Sequence, residues 1–88
     1  MNIKKIARAG TYESNDCLIE IKPAESLKID IDSQVYDQFK EQIDSVINET
    51  LKKNDIDKAS IHIEDRGALD CTIRARLTTA IRRANEED

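Results

Sequence analysis

Residues 17–32 read CLIEIKPAESLKIDID. Over the first six, Cys17, Ile19 and Ile21 fall on one side and Glu20 and Lys22 on the other, the period of two that marks a strand with one buried face. Leu27, Ile29 and Ile31 repeat the pattern against Lys28 and Asp30. Between the two runs, Pro23 to Ser26 (PAES) reads as a turn, so the runs are expected to pair as an antiparallel hairpin.

Working outward, the stretch IKKIARAGTY upstream offers a weaker candidate for an earlier strand. Downstream the period changes. After Ser33, the expected N-cap, residues Val35, Phe39, Ile43, Val46, Ile47 and Leu51 follow the three-and-four spacing of an amphipathic helix. Lys52 and Lys53 complement the helix dipole in the last turn, and Asn54 can take the left-handed conformation that ends it. Residues 59–64 (ASIHIE) alternate once more with Ile61 and Ile63 inward, a third strand. Asp65 to Asp70 (DRGALD) reads as a loop turning on Gly67, with Asp70 capping a second helix whose apolar stripe is Ile73, Leu77, Ala80, Ile81 and Ala84. Arg74, Arg82 and Arg83 fall off that stripe, and the tail NEED is expected to fray.

One apolar face per strand and one apolar stripe per helix predict an α+β, two-layer sandwich: a mostly antiparallel sheet of three to four strands with two helices packed on one face. The other face is expected to show Glu20, Lys22, Lys28, Asp30, His62 and Glu64 to water. Residues 1–88 read as a single domain, with no linker-like shift in composition. A chain this short buries only about 60% of the surface its unfolded form exposes, which leaves little room for an enclosed pocket.

With 36% charged residues and a net charge of -4, the chain lacks the basic surface that binding phosphate backbones requires. The acidic balance suits a basic partner and suits solubility equally well. No run approaches a membrane span, and residues 1–10 (MNIKKIARAG) lack the apolar stretch of a signal peptide, so the cytoplasm is the expected compartment. Cys17 and Cys71 form no CxxC unit, which disfavours a zinc site or redox pair, and both are expected to be small buried apolar residues. A lone histidine, His62, at an exposed strand position is a poor start for nucleophilic catalysis. Neither a GxxxxGK[ST] loop nor a GxGxxG turn is present, and the basic run RARLTTAIRR reads as a solvated helix face.

That leaves residues 9–16, AGTYESND. They can be read as a turn enabled by Gly10, with Thr11 and Ser14 bonding locally and Asp16 leading into the strand. They can also be read as a loop presenting one hydroxyl to another enzyme, because no base is visible to activate Ser14 from within.

AGTYESND near the N-terminus, together with DRGALDCTIRARLTTAI near the C-terminus, resembles the acyl carrier protein of citrate lyase, its gamma subunit, over nearly the whole chain. The resemblance implies a noncatalytic phosphoprotein: Ser14 carries phosphoribosyl dephospho-coenzyme A as a covalent prosthetic group through a phosphodiester, placed there by a dedicated prosthetic-group transferase. The surrounding motif is Gly10, Thr11, Glu13 and Asp16, and the acids Glu13 and Asp16 are expected to repel the phosphodiester into an extended arm. The arm's thiol, rather than Cys17 or Cys71, holds acetyl or citryl. A transferase (alpha) subunit and a lyase (beta) subunit act on it in turn during citrate fermentation, releasing acetate and oxaloacetate.

Tyr12 and Asn15 depart from the family pattern, which favours a smaller aliphatic residue and a serine or glycine. Asp65, Gly67, Asp70, Arg74 and Arg76 are candidates for partner docking, although the DRGALDC segment equally fits a structural loop and cap. Two other functions stay open: the carrier of citramalate lyase, and an interaction domain whose Ser14 is never modified.

Overall fold

The computed structural model describes residues 3–86. In chain order its elements are β1 (Ala7–Gly10), β2 (Cys17–Lys22), β3 (Leu27–Ser33), α1 (Tyr36–Lys53), β4 (Ala59–Asp65) and α2 (Asp70–Asn85). The four strands form one sheet in the order β1-β2-β4-β3. The β1–β2 and β2–β4 pairs are antiparallel, whereas β3 runs parallel to β4. The weak upstream pattern is thus a true strand, and the α+β sheet is mostly antiparallel with one parallel pair.

The expected hairpin of residues 17–32 does not form. β2 and β3 are consecutive, but β4 inserts between them, in register Ile19↔Ile63 on one side and Ile31↔Ile63 on the other. Alternation fixes which face of a strand is buried and says nothing about its neighbour. Burial explains the order: the inward residues of β4, Ala59, Ile61, Ile63 and Asp65, are all buried, while Leu27 of β3 is 41% exposed and Ile29 and Ile31 are only half-buried. β4 therefore takes the centre and β3 the edge. The link of residues 23–26 crosses two strand spacings, about 10 Å, which four residues span easily. A parallel β3–β4 pair needs a long crossover, and α1 supplies it.

Ile43, Val46, Ile47 and Leu51 of α1 and Ile73, Leu77, Ala80, Ile81 and Ala84 of α2 join Ile19, Ile21, Ile61 and Ile63 in one buried cluster. Glu20, His62 and Asp30 align across the opposite face. There the His62 ring lies 2.8 Å from Asp30 through Nδ1 and 3.3 Å from Glu64 through Nε2. Burial works against its charge, but those two acids outweigh it and raise its pKa.

Several local expectations are corrected. Ser33 ends β3 and Val35 holds the cap position of α1; the Ser33 hydroxyl instead donates to Asp65 Oδ2 at 2.8 Å and accepts the Val35 N–H at 3.2 Å. Phe39 departs from helical geometry (φ -121°, ψ 22°) and is 45% exposed, so it leaves the apolar stripe. The left-handed residue after α1 is Asp55 (φ 56°), while the Asn54 side chain donates to the Thr50 carbonyl at 2.8 Å. Asp70 is the first residue of α2 and Leu69 its cap, which places the Asp70 charge where the helix dipole favours it. Cys17 is fully buried as expected, but Cys71 is exposed. Of the tail, Asn85 closes α2, and residues 87–88 lie outside the described residues. Among the described residues no helix is long and apolar enough to cross a membrane.

The burial gradient across the sheet predicts that Ile63→Val lowers unfolding free energy by about 1 kcal/mol. Ile31→Val on the edge strand is expected to cost less than half as much, read as urea midpoints at equal denaturant slope.

Candidate functional site

The β1–β2 connection carries the AGTYESND segment. Gly10 sits at φ +99°, and a Cβ there would stand 1.8 Å from the Cys17 carbonyl oxygen, so only glycine lets β1 approach β2 this closely. The Thr11 N–H donates to that same carbonyl at 3.2 Å. Residues 13–16 then form a tight turn in which the Asp16 N–H donates to the Glu13 carbonyl at 3.2 Å. Ser14 and Asn15 occupy its corners, Asn15 at φ 64°. That angle accounts for Asn15, since a glycine or asparagine adopts it most readily.

Asp16 anchors the turn from below. Arg76 of α2 reaches its carboxylate in a two-pronged contact, Nε to Oδ1 at 3.0 Å and Nη2 to Oδ2 at 2.9 Å. The Thr11 hydroxyl donates to Oδ2 at 2.8 Å, and the Cys17 N–H donates to Oδ1 at 2.7 Å. Thr11 Oγ1 also accepts the Glu13 N–H at 3.1 Å. Arg76 above all, aided by Thr11 and the Cys17 amide against the opposing effect of burial, holds the Asp16 carboxyl down at about 2. Next to it, burial first and then the charges of Asp16 and Asp65 push the Cys17 thiol up to about 12. A thiol in that state stays protonated at neutral pH and is a poor nucleophile.

The DRGALD segment is the second half of the platform. Arg66 clamps the turn through its backbone: the Asn15 N–H donates to the Arg66 carbonyl at 2.8 Å, and the Arg66 N–H to the Asp16 carbonyl at 2.9 Å. Gly67, at φ +87°, turns directly beside the Asn15 side chain. Asp65 is 2% exposed; its carboxylate takes the Ser33 hydroxyl and the Ala68 N–H, each at 2.8 Å, and so fixes the loop to the start of α1.

Gly10, Thr11, Glu13, Ser14 and Asp16 are thus brought together, with Arg66 and Arg76 joining them from more than forty positions away in sequence. Of the residues considered for partner docking, Asp65 turns inward and Arg76 is engaged by Asp16, while Asp70 and Arg74 are exposed and Gly67 is half-buried. In the basic run of α2, Arg83 donates to the Arg8 carbonyl at 2.8 Å and Arg82 lies 3.9 Å from Glu86. Asp16, turned inward and paired, is not a free charge beside Ser14; Glu13 is exposed there.

Ser14 itself is exposed, and among the described residues no group hydrogen-bonds its hydroxyl. Nor do any three His, Cys, Asp or Glu side chains among them converge as a metal site. The hydroxyl thus stands on the corner of a pinned turn, held in a fixed position and open to solvent.

Comparison with known proteins shows the family. The family model described as malonate decarboxylase delta subunit (MdcD), an ACP type, matches residues 4–84. A citrate lyase acyl carrier protein of Treponema denticola is 49% identical over 87 residues, covering 99% of this chain and 100% of that protein. One from Enterobacter sp. (strain 638) is 50% identical over 88 residues, covering 99% and 91%. A chain in the crystal structure of a Pseudomonas malonate decarboxylase hetero-tetramer in complex with malonate shares the fold, with a TM-score of 0.85 at 18% identity over 97% of this chain and 89% of that one. The chain belongs to the citrate lyase acyl carrier protein family, and its role is that of an acyl carrier.

Because the Asp16 carboxyl is held near 2 rather than its ordinary 3.8, its stabilising contribution is complete above the ordinary value and disappears as pH falls through about 2. Asp16→Asn is therefore expected to lower unfolding free energy by about 1–2 kcal/mol at pH 7, discounted because the Arg76 side chain is partly exposed. Urea denaturation of the variant and the parent should converge between pH 4 and pH 2.

Proposed function

We propose that this chain is the acyl carrier subunit of a citrate lyase complex and that its prosthetic group, phosphoribosyl dephospho-coenzyme A, is attached through a phosphodiester to Ser14 Oγ. The observation that carries this reading is the exposed, unpartnered Ser14 hydroxyl at the corner of a turn pinned from both sides. The residues fit such a linkage. Asp16, the nearer of the flanking acids to the core, is neutralised by Arg76, so it offers little repulsion to a phosphate on Ser14. Arg66, next to the turn in space, has an exposed side chain and no ion pair among the described residues. The relatives named citrate lyase acyl carrier protein, at 45% to 50% identity, favour citrate as the substrate of the assembly.

The bound group supplies a terminal thiol that holds an acyl unit as a thioester. The chain's own contribution is positional. Among the described residues no base hydrogen-bonds Ser14, and His62, held between Asp30 and Glu64, lies on the helix-free sheet face. Cys17, protonated and buried, does not compete for the acyl unit. Tethering sets a high effective concentration of thioester at the transferase and lyase subunits that share the complex. The same reading makes residues 1–88 one carrier domain working in the cytoplasm, modified by a dedicated prosthetic-group transferase.

Intact mass after co-expression with the cognate transferase and the precursor-forming enzyme tests the assignment. The expected result is a gain equal to one phosphoribosyl dephospho-coenzyme A phosphodiester, absent from Ser14→Ala. A gain that persists in Ser14→Ala, or none at all with enzymes shown to be active on another carrier, refutes it.

A further inference from the structure

Beside the attachment turn lies a groove of about 580 Å³ between the start of α1 and the β4–α2 loop. That is the size of a small-molecule cleft, for which roughly 300–1,000 Å³ is typical. Its walls are mostly apolar: Phe39, Ile43, Ala68 and Leu69 line it, with Gln42 and Asp70 among its polar groups. Phe39 is 45% exposed and Leu69 is 69% exposed, an aromatic and an aliphatic side chain left open to water at one place. Phe39 is also the residue at which α1 breaks helical geometry, so the ring's position comes from the kink rather than from the core.

We propose that this groove seats the adenine base of the covalently attached group, with Phe39 and Leu69 covering its faces and Gln42 and Asp70 receiving its exocyclic amine. This inference rests on the attachment at Ser14 proposed above. Three observations select the base as occupant. The groove wall is continuous with the attachment turn, because Arg66 holds Asn15 and Asp16 through its backbone and Gly67 puts no side chain between Asn15 and the groove. Among the described residues no cation lines the groove, and its exposed acid, Asp70, repels phosphate while accepting from an amine; the other acid in the wall, Asp65, is already occupied by Ser33 and Ala68. Arg66, exposed, bonded through its backbone to the attachment turn and immediately ahead of Gly67 in the chain, is a cation beside that turn for the phosphate linkage. The chain thus offers a cation for phosphate beside the turn and an apolar cleft for a flat heterocycle, and bases stack favourably on aromatic rings.

The test is NMR on the full chain after its mass has shown complete loading. Expected are cross-relaxation contacts from the adenine H2 and H8 protons to the Phe39 ring and Leu69 methyls, and adenine carbon relaxation matching the tumbling of the domain. Phe39→Ala and, separately, Leu69→Gln, both at exposed positions, should abolish those contacts and free the base while leaving the mass gain and the circular dichroism unchanged. A fully loaded protein whose adenine relaxes several-fold faster than the domain, with shift changes confined to residues 11–16, overturns the proposal. So does a groove whose methyl shifts move only when purified catalytic subunits are added, which assigns it to protein docking. Absence of the mass gain refutes the attachment itself, and the groove assignment falls with it.

Discussion

Arg76 and Asp16 are sixty positions apart, and their two-pronged contact is the constraint on which the working end of the molecule depends. Asp16 closes the turn and Cys17 begins β2, so the carboxylate fixes at once where the strand starts, how the turn closes and where α2 lies. Its other bonds, from the Thr11 hydroxyl and the Cys17 amide, transmit that fix to both ends of the loop. A planar guanidinium matches a carboxylate in both position and angle, which a lysine in the same place does not. The Asp16 side chain is 13% exposed and that of Arg76 40%, so the pair gains orientation without the full penalty of desolvating two ions.

The sheet order places every part of this platform at one end. β1 ends there, β2 begins there, β4 ends there and α2 begins just beyond. With β4 in the middle, its last residue, Asp65, faces Cys17 on one side and Ser33 on the other, and its carboxylate can serve the Ser33 hydroxyl and the Ala68 amide together. A hairpin of β2 with β3 would have left the β4–α2 loop at the margin of the sheet, away from the turn it clamps. The opposite, helix-free face keeps the Asp30–His62–Glu64 cluster apart from this chemistry.

Much of this was legible in the sequence, and the boundary is physical. Strand faces and helix stripes were, because periodicity is a local property: Ile19, Ile21, Ile61, Ile63, Leu77 and Ile81 are buried as their spacing predicts. Strand neighbours were not, since Ile29 and Ile63 carry the same alternation whether they lie at the edge or in the centre. Phe39 matched the helical spacing and still left the core, because one non-helical residue rotates everything before it. Ser33 and Asp70 looked like caps because a single sequence cannot reveal that the Ser33 hydroxyl is claimed by Asp65. The Ser14 loop was recognisable through its family resemblance, but the partner that pins it was not. An arginine off the apolar stripe of a helix carries no local sign that it reaches a carboxylate sixty positions earlier.

A turn held by backbone bonds on one side and a guanidinium on the other is a fulcrum. A lever mounted on a fixed fulcrum sweeps a shell of constant radius, whereas one mounted on a loose loop fills a blurred volume with its tip. On the attachment proposed at Ser14, with the base seated in the groove, the part of the lever free to travel begins beyond that base. A fixed pivot then makes its itinerary a matter of where neighbouring subunits stand, while the globule beneath it can remain still.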